Sequence, residues 1–140
     1  MSDSPAGTEW LIDKSALTRL GGAADAAAWA ERIQRGIVRI ATVTLLEVGY
    51  SARDPADLDA GLRGPPVSSM PIEYLTPTAE DRAVNLLTLL AERGQHRAPS
   101  VPDLIIAAIA ESAGLVVLHN DKDFDLIADV TGQPVQRLDG

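Results

Sequence analysis

Short apolar runs alternate with helical patterns along the whole chain, and few folds accommodate that alternation. Residues 9–12 (Glu9-Trp10-Leu11-Ile12), 37–40, 72–75, 116–118 and 135–138 read as strands. Between them, helical patterns occupy residues 15–20, 24–35, 45–53, 55–63, 77–93, 102–113 and 124–130. Some boundaries carry chemical marks. Thr76-Pro77 is an N-cap followed by proline at the first helical position, and Gly36 stands where a left-handed residue closes a helix. The 102–113 segment is apolar nearly all round and is expected to be a buried helix. Strands separated by helices imply an α/β fold: a central parallel sheet of four or five short strands, flanked by helices and joined by right-handed crossovers.

The 140 residues suit one domain, with residues 1–8 expected as a flexible tail and residues 9–140 as the folded unit. A chain of this size buries enough surface to fold alone. It has no cysteine, which excludes disulfides, zinc–thiolate sites and a cysteine nucleophile. Its formal charge of −8 disfavours broad phosphate binding, and 4% aromatics leave little for stacking single-stranded bases. Trp10 and Trp29 read as core. Residues 1–8 lack the basic and apolar regions of a signal peptide, and no apolar run is long enough to span a membrane. No membrane association and a cytoplasmic location are therefore expected.

Four carboxylates fall in equivalent places. Asp13 follows the first strand. Glu47 lies in the first turns of the helix after the second. Asp103 opens the buried helix, and Asp121 follows the 116–118 strand. In a parallel sheet, strand ends and the starts of the following helices share the carboxyl edge, where ligands of open α/β sheets bind. Each residue also has a local structural role open to it. Thr44…Glu47 and Ser100…Asp103 both match capping boxes, Asp121 suits an N-cap, and Asp13 suits an Asx-turn. Four like charges on one edge, with Asp123 and Asp125 nearby, nevertheless require a counterion. The only lysines are Lys14 and Lys122. A hard divalent cation, Mg²⁺ or Mn²⁺, fits an all-oxygen set. Ser15 can orient Asp13 or cap its helix. His96 and His119 are too far apart to form a metal pair on one helix. There is no phosphate-binding G-x-x-x-x-G-K-[ST] loop and no G-x-S-x-G elbow. A response-regulator receiver is also excluded, because Lys14 follows Asp13 and Thr76-Pro77 follows the third strand.

Four segments together resemble a known family. Trp10-Leu11-Ile12-Asp13-Lys14-Ser15-Ala16-Leu17 looks like the opening motif of a PIN domain, and Thr44-Leu45-Leu46-Glu47-Val48-Gly49-Tyr50 like its second. Val101-Pro102-Asp103-Leu104-Ile105-Ile106-Ala107-Ala108 is similar to the third motif, and Leu118-His119-Asn120-Asp121-Lys122-Asp123-Phe124 to the fourth. Order, spacing and length resemble the actinobacterial VapC toxins of type II toxin–antitoxin pairs. The resemblance implies a PIN-like fold and a Mg²⁺-dependent endoribonuclease, with Mn²⁺ as a substitute. It further implies a homodimer, inhibited by a VapB-type antitoxin and acting on RNA. The implied metal and catalytic set is Asp13, Glu47, Asp103 and Asp121, with Asp123 as a fifth member and Asp13 and Asp103 as the chief ligands. Ser15, which falls where many relatives have a serine or threonine, and Arg97, from its place in the loop before Asp103, are the expected substrate contacts. Lys14 and His119 depart from the family pattern, which more often has a threonine or small residue at the first position and a hydroxyl residue at the second. A catalytically silent PIN-like interaction domain is the alternative.

Overall fold

The computed structural model describes residues 5–139. Residues 1–4 of the expected tail, and Gly140, lie outside the described residues. Thr8 closes a turn by donating through its backbone N and its Oγ1 to the Pro5 carbonyl.

Five parallel strands form one sheet in the order β3-β2-β1-β4-β5. They are β1 (Trp10–Ile12), β2 (Val38–Ala41), β3 (Ile72–Glu73), β4 (Val116–His119) and β5 (Val135–Arg137). Helices α1 (Lys14–Leu17) and α2 (Ala26–Gln34) join β1 to β2, and α3 (Thr42–Tyr50) and α4 (Pro55–Arg63) join β2 to β3. Helices α5 (Pro77–Glu92) and α6 (Val101–Ala113) lead to β4, and α7 (Lys122–Thr131) leads to β5. The chain thus steps outward from β1 through β2 to β3, then returns to lay β4 on the other side of β1. That reversal puts a crevice between the carboxyl ends of β1 and β4, the usual ligand position in an open parallel sheet.

The two-residue period of the strands sorts their side chains into two cores. Trp10, Ile12, Val38, Ile40 and Leu118 pack with Trp29 and Ile33 of α2 on one face. Leu11, Ala41 and Val117 face α6, whose Ile106, Ala107 and Ala110 have essentially no exposed surface. α5 presses Leu86 and Leu90 onto the same core. α6 is therefore covered on nearly all sides, as its continuous apolarity requires. Among the described residues, no helix is long and apolar enough to cross a membrane.

Several boundaries differ from expectation. The first helix ends at Leu17, and a separate 3-10 turn, Leu20–Gly22, finishes the 15–20 pattern. β3 pairs only through Ile72 and Glu73. α3 begins at Thr42 rather than residue 45, because the chain turns into helix directly from the extended Ala41 at the end of β2. Thr44 is consequently inside the first turn and fully buried, so the expected Thr44…Glu47 capping box does not form.

Candidate active site

Asp13 leaves β1 in extended conformation and caps α1. Its Oδ2 accepts from the Ser15 backbone N at 2.9 Å and from Ser15 Oγ at 2.6 Å. Its own backbone N donates to the Leu118 carbonyl at 2.8 Å, which ties the end of β1 to β4. Ser15 Oγ also accepts from the Asn120 backbone N at 2.8 Å. One hydroxyl thus joins the two strand ends that flank the crevice.

Asp103 forms the expected capping box. Its Oδ2 accepts from the Ser100 N at 3.1 Å, and Ser100 Oγ accepts from the Asp103 N at 3.2 Å. Capping and site membership are compatible here, because the cap points the buried carboxylate into the crevice. Asp121 caps α7, with Oδ1 accepting from the Asp123 N at 2.9 Å. Glu47, released from a capping role, stands in the second turn of α3, and its Oε1 is buried with no hydrogen-bond partner.

These elements line one open cleft of about 510 Å³. Asp13, Glu47, Asp103, Asp121 and Asp123 all face it, together with Lys14, Ser15 and Arg97. One carboxylate oxygen each from Asp103, Asp121 and Asp123 lie within 4.8 Å of one another. Asp13 and Glu47 line the same cleft outside that trio, whereas Asp13 and Asp103 are the expected chief pair. Among the described residues none of these five carboxylates forms an ion pair. Lys14 Nζ donates instead to Ser51 Oγ at 2.6 Å. Asp125 points elsewhere and bonds Arg137.

The electrostatic consequence is consistent across the cleft. Burial, reinforced by the Asp13 and Asp121 charges and opposed by the Ser100 hydrogen bonds, pushes the Asp103 carboxyl up to about 6. Burial and the Asp13 charge raise Glu47 against the pull of Lys14. Burial and the Asp121 charge raise Asp123 against that of Lys122. A site of this kind favours either protons or a cation. The donors are all oxygen, the charges are unpaired, and Glu47 holds an orphaned oxygen, so the residues fit a hard divalent ion.

His119 was not marked by the sequence as part of this site. Its imidazole is fully buried, and its Nδ1 accepts from the Asp121 backbone N at 3.1 Å. Burial, more than any neighbouring charge, lowers its pKa, which keeps the ring neutral. His96 is exposed.

A parallel sheet with an acidic crevice at its switch point defines a class, and the comparisons agree with it. The PIN domain family model matches residues 10–130, and the chain belongs to the PIN-domain family. Within that family its relatives are VapC proteins. It is 59% identical over 129 residues to Ribonuclease VapC2 of Mycobacterium tuberculosis, covering 92% of both chains. It is 42% identical over 128 residues to Ribonuclease VapC51 of the same species, covering 91% of both. Among solved structures, the fold matches DNA-bound VapBC from Salmonella typhimurium with TM-score 0.72 at 20% identity, over 93% of this chain and 98% of that one. It matches DNA-bound VapBC2 from Rickettsia felis with TM-score 0.76 at 14% identity, over 94% and 100%.

Proposed function

We propose that this chain is a Mg²⁺-dependent endoribonuclease and the toxin of a toxin–antitoxin pair, held silent by a VapB-type antitoxin. The observation that carries this reading is the convergence of five carboxylates, without an ion-pair partner among the described residues, on one cleft at the β1–β4 switch point. The curated relatives are named ribonucleases, and the solved neighbours are VapBC assemblies, which supports RNA as substrate and VapB as partner. A cytoplasmic homodimer completes the reading. Leu46 and Tyr50, exposed beside the cleft, suit a surface that is covered in an assembly.

Asp103, Asp121 and Asp123 would hold the ion, with Asp13 and Glu47 completing its surroundings. A bound divalent ion supplies Lewis-acid polarisation of the phosphodiester and a lower pKa for the attacking water. The chain's own residues do the rest. Glu47, with a free buried oxygen and a raised pKa, is placed to take a proton from the nucleophile. Ser15 holds Asp13 at a fixed place relative to the end of β4. Arg97 and Lys14 are the cations on the cleft wall, and they would contact the RNA backbone.

Antitoxin-free protein should cut RNA with Mg²⁺ or Mn²⁺ and stop in EDTA, read by denaturing gels. Cleavage that continues unchanged in EDTA would remove the ion from the mechanism. A protein that binds Mn²⁺ but leaves every RNA intact would be the silent interaction domain instead.

A further inference from the structure

His119 ends β4, and its backbone is locked in the sheet, with its carbonyl accepting from the Leu138 N at 2.7 Å. Its ring packs against Phe124 at a centroid distance of 5.3 Å. The next residue is tied down twice. The Asn120 backbone N donates to Ser15 Oγ, and its Nδ2 donates to the Leu138 carbonyl, both at 2.8 Å. The Asp121 N–H then reaches back to His119 Nδ1 at 3.1 Å, and Asp121 Oδ1 accepts the Asp123 N–H at 2.9 Å. A side-chain acceptor two residues upstream therefore sets the first link of a relay that ends on the two carboxylates grouped with Asp103.

We propose that His119 is a positioning residue, whose Nδ1 holds the Asp121 backbone and so fixes Asp121 and Asp123 in the acidic trio. The inference rests on the reading of Asp121 as part of the metal site. Because a backbone N–H can only donate, Nδ1 must present its lone pair, and the neutral ring carries its proton on Nε2. Nε2 faces Asp125 Oδ1 at 3.6 Å, and Asp125 is itself bound by Arg137. A carboxylate behind Nε2 favours that tautomer. The arrangement matches the outer-shell contacts that orient ligands at metal sites, whose loss commonly weakens affinity about 10–100-fold.

The test is Mn²⁺ affinity of the full chain, measured by titration calorimetry. His119→Asn keeps an acceptor oxygen close to the place of Nδ1 but loses the ring contact with Phe124. His119→Leu keeps apolar bulk and loses the acceptor. The Leu variant is expected to bind Mn²⁺ about 10-fold more weakly or worse, and the Asn variant within about 3-fold of wild type. Equal losses in both variants, or no loss in the Leu variant, would overturn the proposal and leave His119 a packing residue. Asp121→Asn is the control. If it binds Mn²⁺ as wild type does, the metal reading itself fails and takes this inference with it. A readout that needs no variant is ¹⁵N NMR of the wild-type imidazole. The Nε2–H tautomer is expected at His119, and an Nδ1–H tautomer would overturn the proposal.

Discussion

At about pH 7.5, Asp103→Asn is expected to melt roughly 5–10 °C above the wild type in EDTA, and in Mg²⁺ to cleave RNA at least about a thousandfold more slowly. The two effects have one origin. Asp103 is buried, and its carboxyl titrates at about 6 instead of near its ordinary value of 3.8. Between those values the folded state binds more protons than the unfolded state, so stability falls as pH rises through the window. The stabilisation is fully present below the unfolded pKa and lost above the folded one. At neutral pH the ion-free protein thus carries a penalty on the order of 2–3 kcal/mol for ionising Asp103. Asparagine removes the charge and keeps an oxygen that can accept from the Ser100 N, so the capping box survives in large part. Glu47 and Asp123 are raised too and contribute with the same sign.

Scanning calorimetry of both proteins at about pH 4 and pH 7.5 separates this account from others. The gap between them should close at the lower pH, where the wild type is largely protonated. Excess Mn²⁺ should reverse the order at pH 7.5, because it stabilises the intact site by mass action and the Asn variant less. If Asp103→Asn melts well below wild type in EDTA at pH 7.5, the carboxylate serves the helix cap and not a cation.

Several elements were legible in the sequence because a side chain marks their boundary. α4 begins at Pro55 after Asp54, α5 at Pro77 after Thr76, and α6 beneath the Ser100–Asp103 box, and in each case the capping oxygen is in place. α3 was misjudged for the opposite reason. Its cap is Ala41, whose methyl group cannot accept a hydrogen bond, while Thr44 three residues on mimics a cap that the fold buries. Strand order was beyond reach, since pairing β1 with β4 joins residues about a hundred positions apart, and no local pattern encodes that. The carboxylates' common edge followed from the parallel arrangement alone. Their gathering into one cleft depended on the β1–β4 switch point, which only the pairing reveals. The His119 contact was hidden for a further reason. A ring nitrogen accepting from a backbone N–H two residues later depends on the turn's torsions, and the sequence does not display them.

The opposite edge of the sheet should behave as pure scaffold, and Trp29→Ala is expected to cost about 3–5 kcal/mol without touching the site. Trp29 is almost fully buried and meets Trp10, at the start of β1, edge-on, with ring centroids 5.1 Å apart and planes at 82°. The Arg32 guanidinium lies over both rings, 4.3 Å from Trp29 and 5.0 Å from Trp10. The indole nitrogens are satisfied by Asp25 and Gln136. Truncation to alanine would leave a cavity between α2 and the sheet, strip Arg32 of half its stacking and orphan the Asp25 contact. In a domain whose whole stability is on the order of 10 kcal/mol, that is a large fraction. Trp29→Phe keeps a ring against Trp10 and should lose much less. Urea unfolding followed by circular dichroism measures both losses. Mn²⁺ titration, in buffer cold enough for the Ala variant to stay folded, then asks whether the cleft notices. Trp10 begins β1 and Asp13 follows its end, and the site residues are held by caps and turns on the carboxyl side. Affinity within about twofold of wild type is therefore expected, as for sites that share no partners. A tenfold loss in the folded variant would instead mean that the tryptophan cluster sets the spacing of β1 and β4, and with it the position of Asp13.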